Sequence, residues 1–208
     1  MKDFLTIKDK IFRHEFVVEK SRFISFACQV STVGQANFFI ESITKQHYDA
    51  THNCYAYLTD EGQKFSDDGE PQKTAGMPIL EVLRHSGLED VIIVVVRYFG
   101  GTLLGTGGLV RAYTKGAKIA VDAAGKSMKR VWSVLYMPIP YTFYERIKLE
   151  VAAFGGIIRD TQFGAEVELE ILVAAPKAQA FLDRITDMTS GTVEGIEIAQ
   201  EYRAFPVE

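Results

Sequence analysis

Two runs rich in Phe, Val and Ile, residues 12–18 and 22–30, stand on either side of Glu19-Lys20-Ser21. Their β-branched and aromatic content predicts two strands joined by a turn. Ala36, Phe39, Ile40 and Ile43 then recur at helical spacing, which predicts a helix over about residues 33–45. Residues 53–58 read as a short strand. The polar stretch 59–74, with two glycines and a proline, reads as a loop. Pro78 suits the first turn of a short helix closing near Gly87. Residues 91–98 are almost purely apolar, the pattern of a strand covered on both faces. A glycine-rich loop follows. Leu109, Tyr113, Ala117, Ala120, Val121 and Ala124 then mark the apolar face of a long helix.

The second half carries a cleaner pattern. Residues 131–138 predict a strand, and Phe143, Ile147, Val151 and Phe154 a helix face. Residues 157–163 form the next strand, with a turn at Gly164. Val167, Leu169, Ile171 and Val173 alternate with Glu166, Glu168, Glu170 and Leu172, which predicts a half-exposed strand with a carboxylate face. Pro176 opens a helix with core positions Ala178, Phe181, Leu182, Ile185 and Met188, and residues 193–205 supply a last strand. The order is β-α-β-β-α-β, the ferredoxin-like arrangement. The expected class is therefore α+β with two domains, residues 1–126 and 129–208, meeting near Gly125-Lys126-Ser127.

Charge divides the same way. Residues 1–130 hold 17 Lys and Arg against 15 Asp and Glu, and residues 131–208 hold 6 against 12, so the net −4 is the sum of +2 in the first half and −6 in the second. An acidic second half excludes nucleic-acid binding over the whole surface and leaves room for a local basic patch in the first. The two cysteines, Cys28 and Cys54, lie in apolar, strand-like runs and read as reduced thiols. The N-terminus lacks the apolar core of a signal peptide, and the purest apolar run, 91–96, is far shorter than the roughly 20 residues of a membrane helix. A cytoplasmic location without a membrane partner is expected.

Two segments carry candidate chemistry. The first runs from Tyr98 to Tyr113 and places Gly100, Gly101, Gly105, Gly107 and Gly108 between a buried strand and a long helix. A helix start offers unpaired N–H groups and a partial positive charge, glycines let a ligand approach the backbone, and Thr102, Thr106 and Arg111 add hydroxyls and a cation. That combination makes an anion or phosphate site; a tight, ligand-free turn is the plain alternative. Two nucleotide motifs are excluded. Gly105-Thr106-Gly107-Gly108-Leu109-Val110 has Val110 where a dinucleotide fingerprint needs Gly or Ala. Gly125-Lys126-Ser127 follows a helix and lacks the first P-loop glycine, Ala120 standing in its place. No cofactor is expected. The second segment holds Asp67, Asp68 and Glu70, which suit a hard cation or acid–base work, although Asp-Gly and Glu-Pro are also ordinary turn chemistry. His52 and Cys54 share a strand face, but a buried inert thiol is the simpler reading of Cys54.

These stretches resemble the YigZ/IMPACT family. The resemblance rests on Lys20-Ser21-Arg22-Phe23-Ile24, on Asp67-Asp68-Gly69-Glu70-Pro71 with Thr74-Ala75-Gly76-Met77-Pro78-Ile79-Leu80, and on residues 96–102 with 104–113. At Gln72-Lys73 many relatives carry a small Ser-Gly pair. The resemblance implies an N-terminal domain like the second domain of ribosomal protein S-five. It also implies a C-terminal ferredoxin-like domain similar to the last domain of elongation factor G. Eukaryotic relatives are linked to control of translation initiation through a large activator of an initiation-factor kinase. An additional N-terminal domain serves that contact and is not expected here, so that partner is not carried over. The function expected is a binding or regulatory protein near translation, with RNA or a ribosome-associated factor as partner. Gly100, Gly101, Thr102, Gly105–Gly108, Arg111, Lys20 and Arg22 would contact phosphates, with Arg97 completing the patch, and the acidic domain would meet protein. The rivals are an enzyme acting on a phosphorylated or nucleotide-like small molecule and a ligand-free protein adaptor. What separates them is whether the acidic loop and the glycine loop meet.

Overall fold

The computed structural model describes residues 2–206. The chain divides into two compact units: Phe4–Met128 with the stretch from Ala204, and Lys129–Arg203 with the first residues up to Asp3.

The first unit is a five-stranded antiparallel sheet with helices on both faces. Its strands are β2 (Phe12–Val18), β3 (Ser21–Gln29), β4 (His52–Thr59), β5 (Gly62–Ser66) and β6 (Val91–Tyr98), in the order β2-β3-β6-β4-β5. Strand β1 (Phe4–Ile7) precedes them and bridges to Leu88 through Leu5. Helix α1 (Val33–Gln46) covers one face; Phe39 and Ile43 pack with Ile24, Phe26, Ile92, Val94 and Val96. Helices α2 (Gly76–Ser86) and α3 (Gly105–Ala124) cover the other, where Leu80, Leu83 and Tyr113 meet Phe23, Cys54, Ile93 and Val95. Covering both faces explains why β6 is continuously apolar: every side chain from Val91 to Val96 is fully buried. Each such side chain contributes about 1.5–3 kcal/mol. The strand is antiparallel to both neighbours, β3 and β4, so burial on both faces here does not come from a parallel sheet.

The second unit runs β7 (Lys126–Ile139), α4 (Tyr144–Ala153), β8 (Ile157–Phe163), β9 (Val167–Ala174), α5 (Ala178–Met188) and β10 (Ile196–Pro206). Strands β7, β9 and β8 are neighbours in that order and β10 pairs with β7, the sheet order of a ferredoxin-like fold. Leu135, Met137, Ile139, Leu169, Ile171 and Phe181 are buried in its core. The alternation along β9 sends Val167, Leu169, Ile171 and Val173 inward and leaves Glu168 exposed.

Several elements differ from the sequence expectation. Residues 62–66, expected as loop, form β5, paired with β4 from Tyr55↔Ser66 to Thr59↔Gly62. It is an edge strand whose Gln63 and Lys64 are exposed, so a polar sequence is no handicap there. Strand β1 is too short to show a period. Strand β7 starts five residues before Val131, and β10 begins at Ile196 rather than 193. No helix of the described residues is long and apolar enough to cross a membrane.

Candidate functional site

The end of the first unit's sheet where β6 leaves for α3 gathers both segments singled out in the sequence. The acidic segment folds over His52, Asn53 and Cys54 at the start of β4, and each carboxylate has a definite task. Asp67 accepts the backbone N–H groups of Lys73, Ala75 and Gly76, at 2.8, 3.0 and 2.8 Å, and so caps the start of α2 from outside the helix. Asp68 Oδ2 accepts the N–H of Asn53 at 2.6 Å, and its carbonyl accepts from His52 Nδ1 at 2.7 Å. Glu70 points inward and is buried.

Glu70 Oε1 accepts both Arg97 Nη1 and the Tyr113 hydroxyl, each at 2.7 Å. Its other oxygen lies 3.8 Å from His52 Nε2. Arg97 is 4% exposed. A buried arginine demands such a carboxylate, because an unpaired charge in the interior is prohibitively costly. Arg97 Nη2 donates to Ser21 Oγ at 3.2 Å, and the same oxygen accepts the N–H of Gly100 at 3.2 Å. The two loops are therefore joined by one buried chain, Glu70–Arg97–Ser21–Gly100. Cys54 Sγ lies 3.4 Å from the Tyr113 hydroxyl and 3.0 Å from the Asp67 carbonyl. Burial, reinforced by Glu70, holds the Cys54 thiol far above its ordinary range, and burial does the same for Tyr113. Both stay protonated at neutral pH, so Cys54 is not a nucleophile here. Among the described residues no three His, Cys, Asp or Glu side chains converge as a metal-ligand set.

The glycine loop is shaped by close approach and by backbone angle. A Cβ on Gly100 would overlap the carbonyl carbon and oxygen of Lys20, so only glycine lets the loop lie against the β2–β3 turn. Gly101 and Gly105 have φ of +84° and +68°, which turn the chain into α3. Leu104 precedes α3 and provides no side-chain cap; no acidic residue stands in the first turn. Gly105, Thr106 and Gly107 are exposed, so the N–H groups of the helix start face solvent. Arg111 leans back along the helix: its Nη1 lies 3.5 Å from the Cβ position of Gly107. Thr102, Leu103, Arg111 and Lys115, together with Val18 and Glu19, line a cleft of about 520 Å³. Lys118 continues the exposed face of α3 and helps line a separate groove of about 820 Å³ between α2 and α3, with Met77, Val82 and Val110.

The structure thus brings Gly105–Gly108, Thr102 and Arg111 together and adds Lys115, four residues on from Arg111. Arg22 stands elsewhere. It pairs in register with Tyr98, its guanidinium lies 4.3 Å from the Tyr98 ring, and both belong to the α1 face of the sheet. Lys20 occupies the β2–β3 turn with φ +67°. Arg97, expected in the phosphate patch, is withdrawn from it, because its guanidinium is held by Glu70 inside the core. The sequence reading missed Ser21 and Tyr113 as members of the buried chain. A hydroxyl and a phenol on otherwise apolar faces were the available signal.

Fold and site together define a two-unit α+β protein whose first unit carries an uncapped, cation-lined helix start braced by a buried ion pair. Residues 19–121, which include the acidic loop, the glycine loop and Arg111, match the Impact N-terminal domain, and residues 138–192 match a domain of unknown function, DUF1949. The chain is 41% identical over 181 residues to IMPACT family member YvyE of Bacillus subtilis, covering 86% of this chain and 83% of that one. It is 35% identical over 188 residues to IMPACT family member YigZ of Escherichia coli, covering 88% and 92%. A crystal structure described as that of a hypothetical protein superposes with a TM-score of 0.64 at 32% identity, covering 96% of this chain and 98% of that one. The chain belongs to the IMPACT family. Protein IMPACT homolog of Dictyostelium discoideum is 32% identical over 94 residues, 42% of this chain and 27% of its own length.

Proposed function

We propose that this chain is a regulatory protein that binds RNA, free or within a ribosome-associated assembly, through the start of α3. The observation that carries the reading is the open first turn of α3 with the Arg111 guanidinium laid beside Gly107 and Lys115 lining the same cleft. Free N–H groups and the helix dipole favour a phosphate oxygen there, and the two cations supply the charge that holds a polyanion. Lys118, seven residues on from Arg111, extends the positive face. Glu19 lines the same cleft and sets a negative charge against them. The acidic Lys129–Arg203 unit repels phosphates, so the contact is local and weakly dependent on sequence. Translation as the setting is supported by the likeness to eukaryotic relatives tied to initiation control.

Binding of a fluorescent RNA oligomer across about 50–200 mM salt tests this. Arg111→Ala and Lys115→Ala should each weaken binding similarly for all sequences and reduce the log–log salt slope by about 0.7. Glu19→Gln should strengthen it. An absence of salt-dependent binding in the unmodified protein, or slopes untouched by either substitution, contradicts the proposal.

A further inference from the structure

Phe99 is the residue that the phosphate reading leaves unexplained. Phe99 is 46% exposed although it stands only two residues beyond the buried Arg97. Its backbone is fixed, with its N–H donating to Thr51 Oγ1 at 3.0 Å. The ring's inner side is occupied: the Arg97 guanidinium lies 5.6 Å from the Phe99 centroid and 5.6 Å from that of Phe23. Phe23 in turn stacks on Phe16 at 5.2 Å with an interplanar angle of 11°. The result is a column Phe16–Phe23–Arg97–Phe99 that starts on β2, crosses the sheet face and ends in a half-open ring beside Gly100. Arg97 cannot move, since Glu70 and Ser21 hold it. The terminal ring therefore has a held cation behind it.

A further exposed apolar side chain, Leu103 at 88%, stands in the same loop. Exposed apolar groups interleaved with cations and free backbone N–H groups match what an unpaired nucleotide requires. Its phosphate seeks the charge, and its base needs a flat apolar surface. A duplex offers the phosphate but not the face of a base. The backbone of Lys20 packs against Gly100, next to Phe99 in the chain.

We infer that Phe99 is a base-stacking platform, and that the α3 start with Phe99 recognises unpaired nucleotides of single-stranded RNA in preference to duplex. This rests on the proposed phosphate contact at Arg111 and Lys115 and assigns that site its substrate class.

The experiment compares a 12-nucleotide oligouridylate with a duplex of equal length at one salt concentration, using Phe99→Leu, Phe99→Trp and Arg111→Ala. Loss of one base stack lowers affinity by roughly 5- to 150-fold. Phe99→Leu should lose at least about fivefold on the single strand, keep the wild-type salt slope and bind duplex unchanged. Phe99→Trp should retain single-strand affinity, and its indole fluorescence should be quenched by the single strand beyond the change seen from Trp132 in the unmodified protein. Arg111→Ala should weaken both ligands and lower both slopes. If Phe99→Leu binds the single strand as the parent does, or the Phe99→Trp indole is not quenched, the stacking platform is refuted while the phosphate contact stands. If neither RNA binds the parent protein, both ideas fall together.

Discussion

Removing Glu70 tests the buried ion pair that ties the acidic loop to the glycine loop. Glu70→Leu deletes the acceptor of Arg97 Nη1 and of the Tyr113 hydroxyl in one step. Arg97, 4% exposed, is then an uncompensated buried cation. Breaking a buried pair from one side costs about 3–5 kcal/mol. Leaving the Tyr113 hydroxyl without its acceptor adds about 1 kcal/mol. For a unit of this size about 1 kcal/mol corresponds to some 3–5 °C, so Tm should fall by about 12–30 °C. Glu70→Gln keeps an acceptor oxygen and should lose only about 1–3 kcal/mol. The decisive variant is Glu70→Leu combined with Arg97→Met, which removes both charges. Apolar replacement of a whole buried pair is often neutral, so the double variant should recover most of the loss. Urea unfolding followed by circular dichroism gives the three free energies. A Glu70→Leu loss below about 1 kcal/mol, or a double variant worse than the single one, would refute the reasoning, because either result means that Glu70 does not offset the burial of the Arg97 charge.

Three further outcomes follow from single features. Gly100→Ala should destabilise the first unit strongly, because the new Cβ collides with the Lys20 backbone, whereas Gly34→Ala in α1, with no atom nearer than 3.8 Å, should be neutral or stabilising; equal Tm values for the two would count against the packed loop. Burial, helped by Arg13 and Arg22, lowers the pKa of His47, so its contribution to stability is present above its ordinary value of 6.5 and is lost as pH falls below it. Urea midpoints measured from pH 8 to pH 5 should therefore fall less steeply in His47→Asn than in the parent, and identical slopes would discard this assignment. Residues 129–208 expressed alone should unfold cooperatively around the core of Leu135, Ile171 and Phe181; a molten fragment would show that this unit depends on the rest of the chain.

The parts of this fold legible in the sequence are those where one face or both must be dry. Strand β6 could be read because six consecutive apolar residues have no other use, and β9 because its pleat alternates valine, leucine and isoleucine with glutamate. Strand β5 could not be read, since an edge strand with exposed Gln63 and Lys64 has no burial pattern and is held by its hairpin with β4. The glycine segment was legible as a strand-to-helix passage, and the approach of Gly100 to Lys20 gives the physical reason for one of its glycines. The true role of Glu70 was hidden. Its partners stand 27 and 43 residues away, and only the pairing of β4 with β6 and the crossing of α3 bring them within reach. Arg97 looked like a surface cation because it closes an apolar run, yet residues alternate across a strand and its side points into the core beside Phe23.

The central claim is that RNA phosphate meets the first turn of α3. Titrating ¹⁵N-labelled full-length protein with a short oligouridylate and following each backbone amide tests this most directly. The account predicts saturable shifts largest at Gly105, Thr106, Gly107 and Gly108, accompanied by the side-chain resonance of Arg111, with the amides of Glu168 and Glu170 unmoved. Saturable shifts centred on the Lys129–Arg203 unit or on the groove between α2 and α3, with the Gly105–Gly108 amides still, would contradict it.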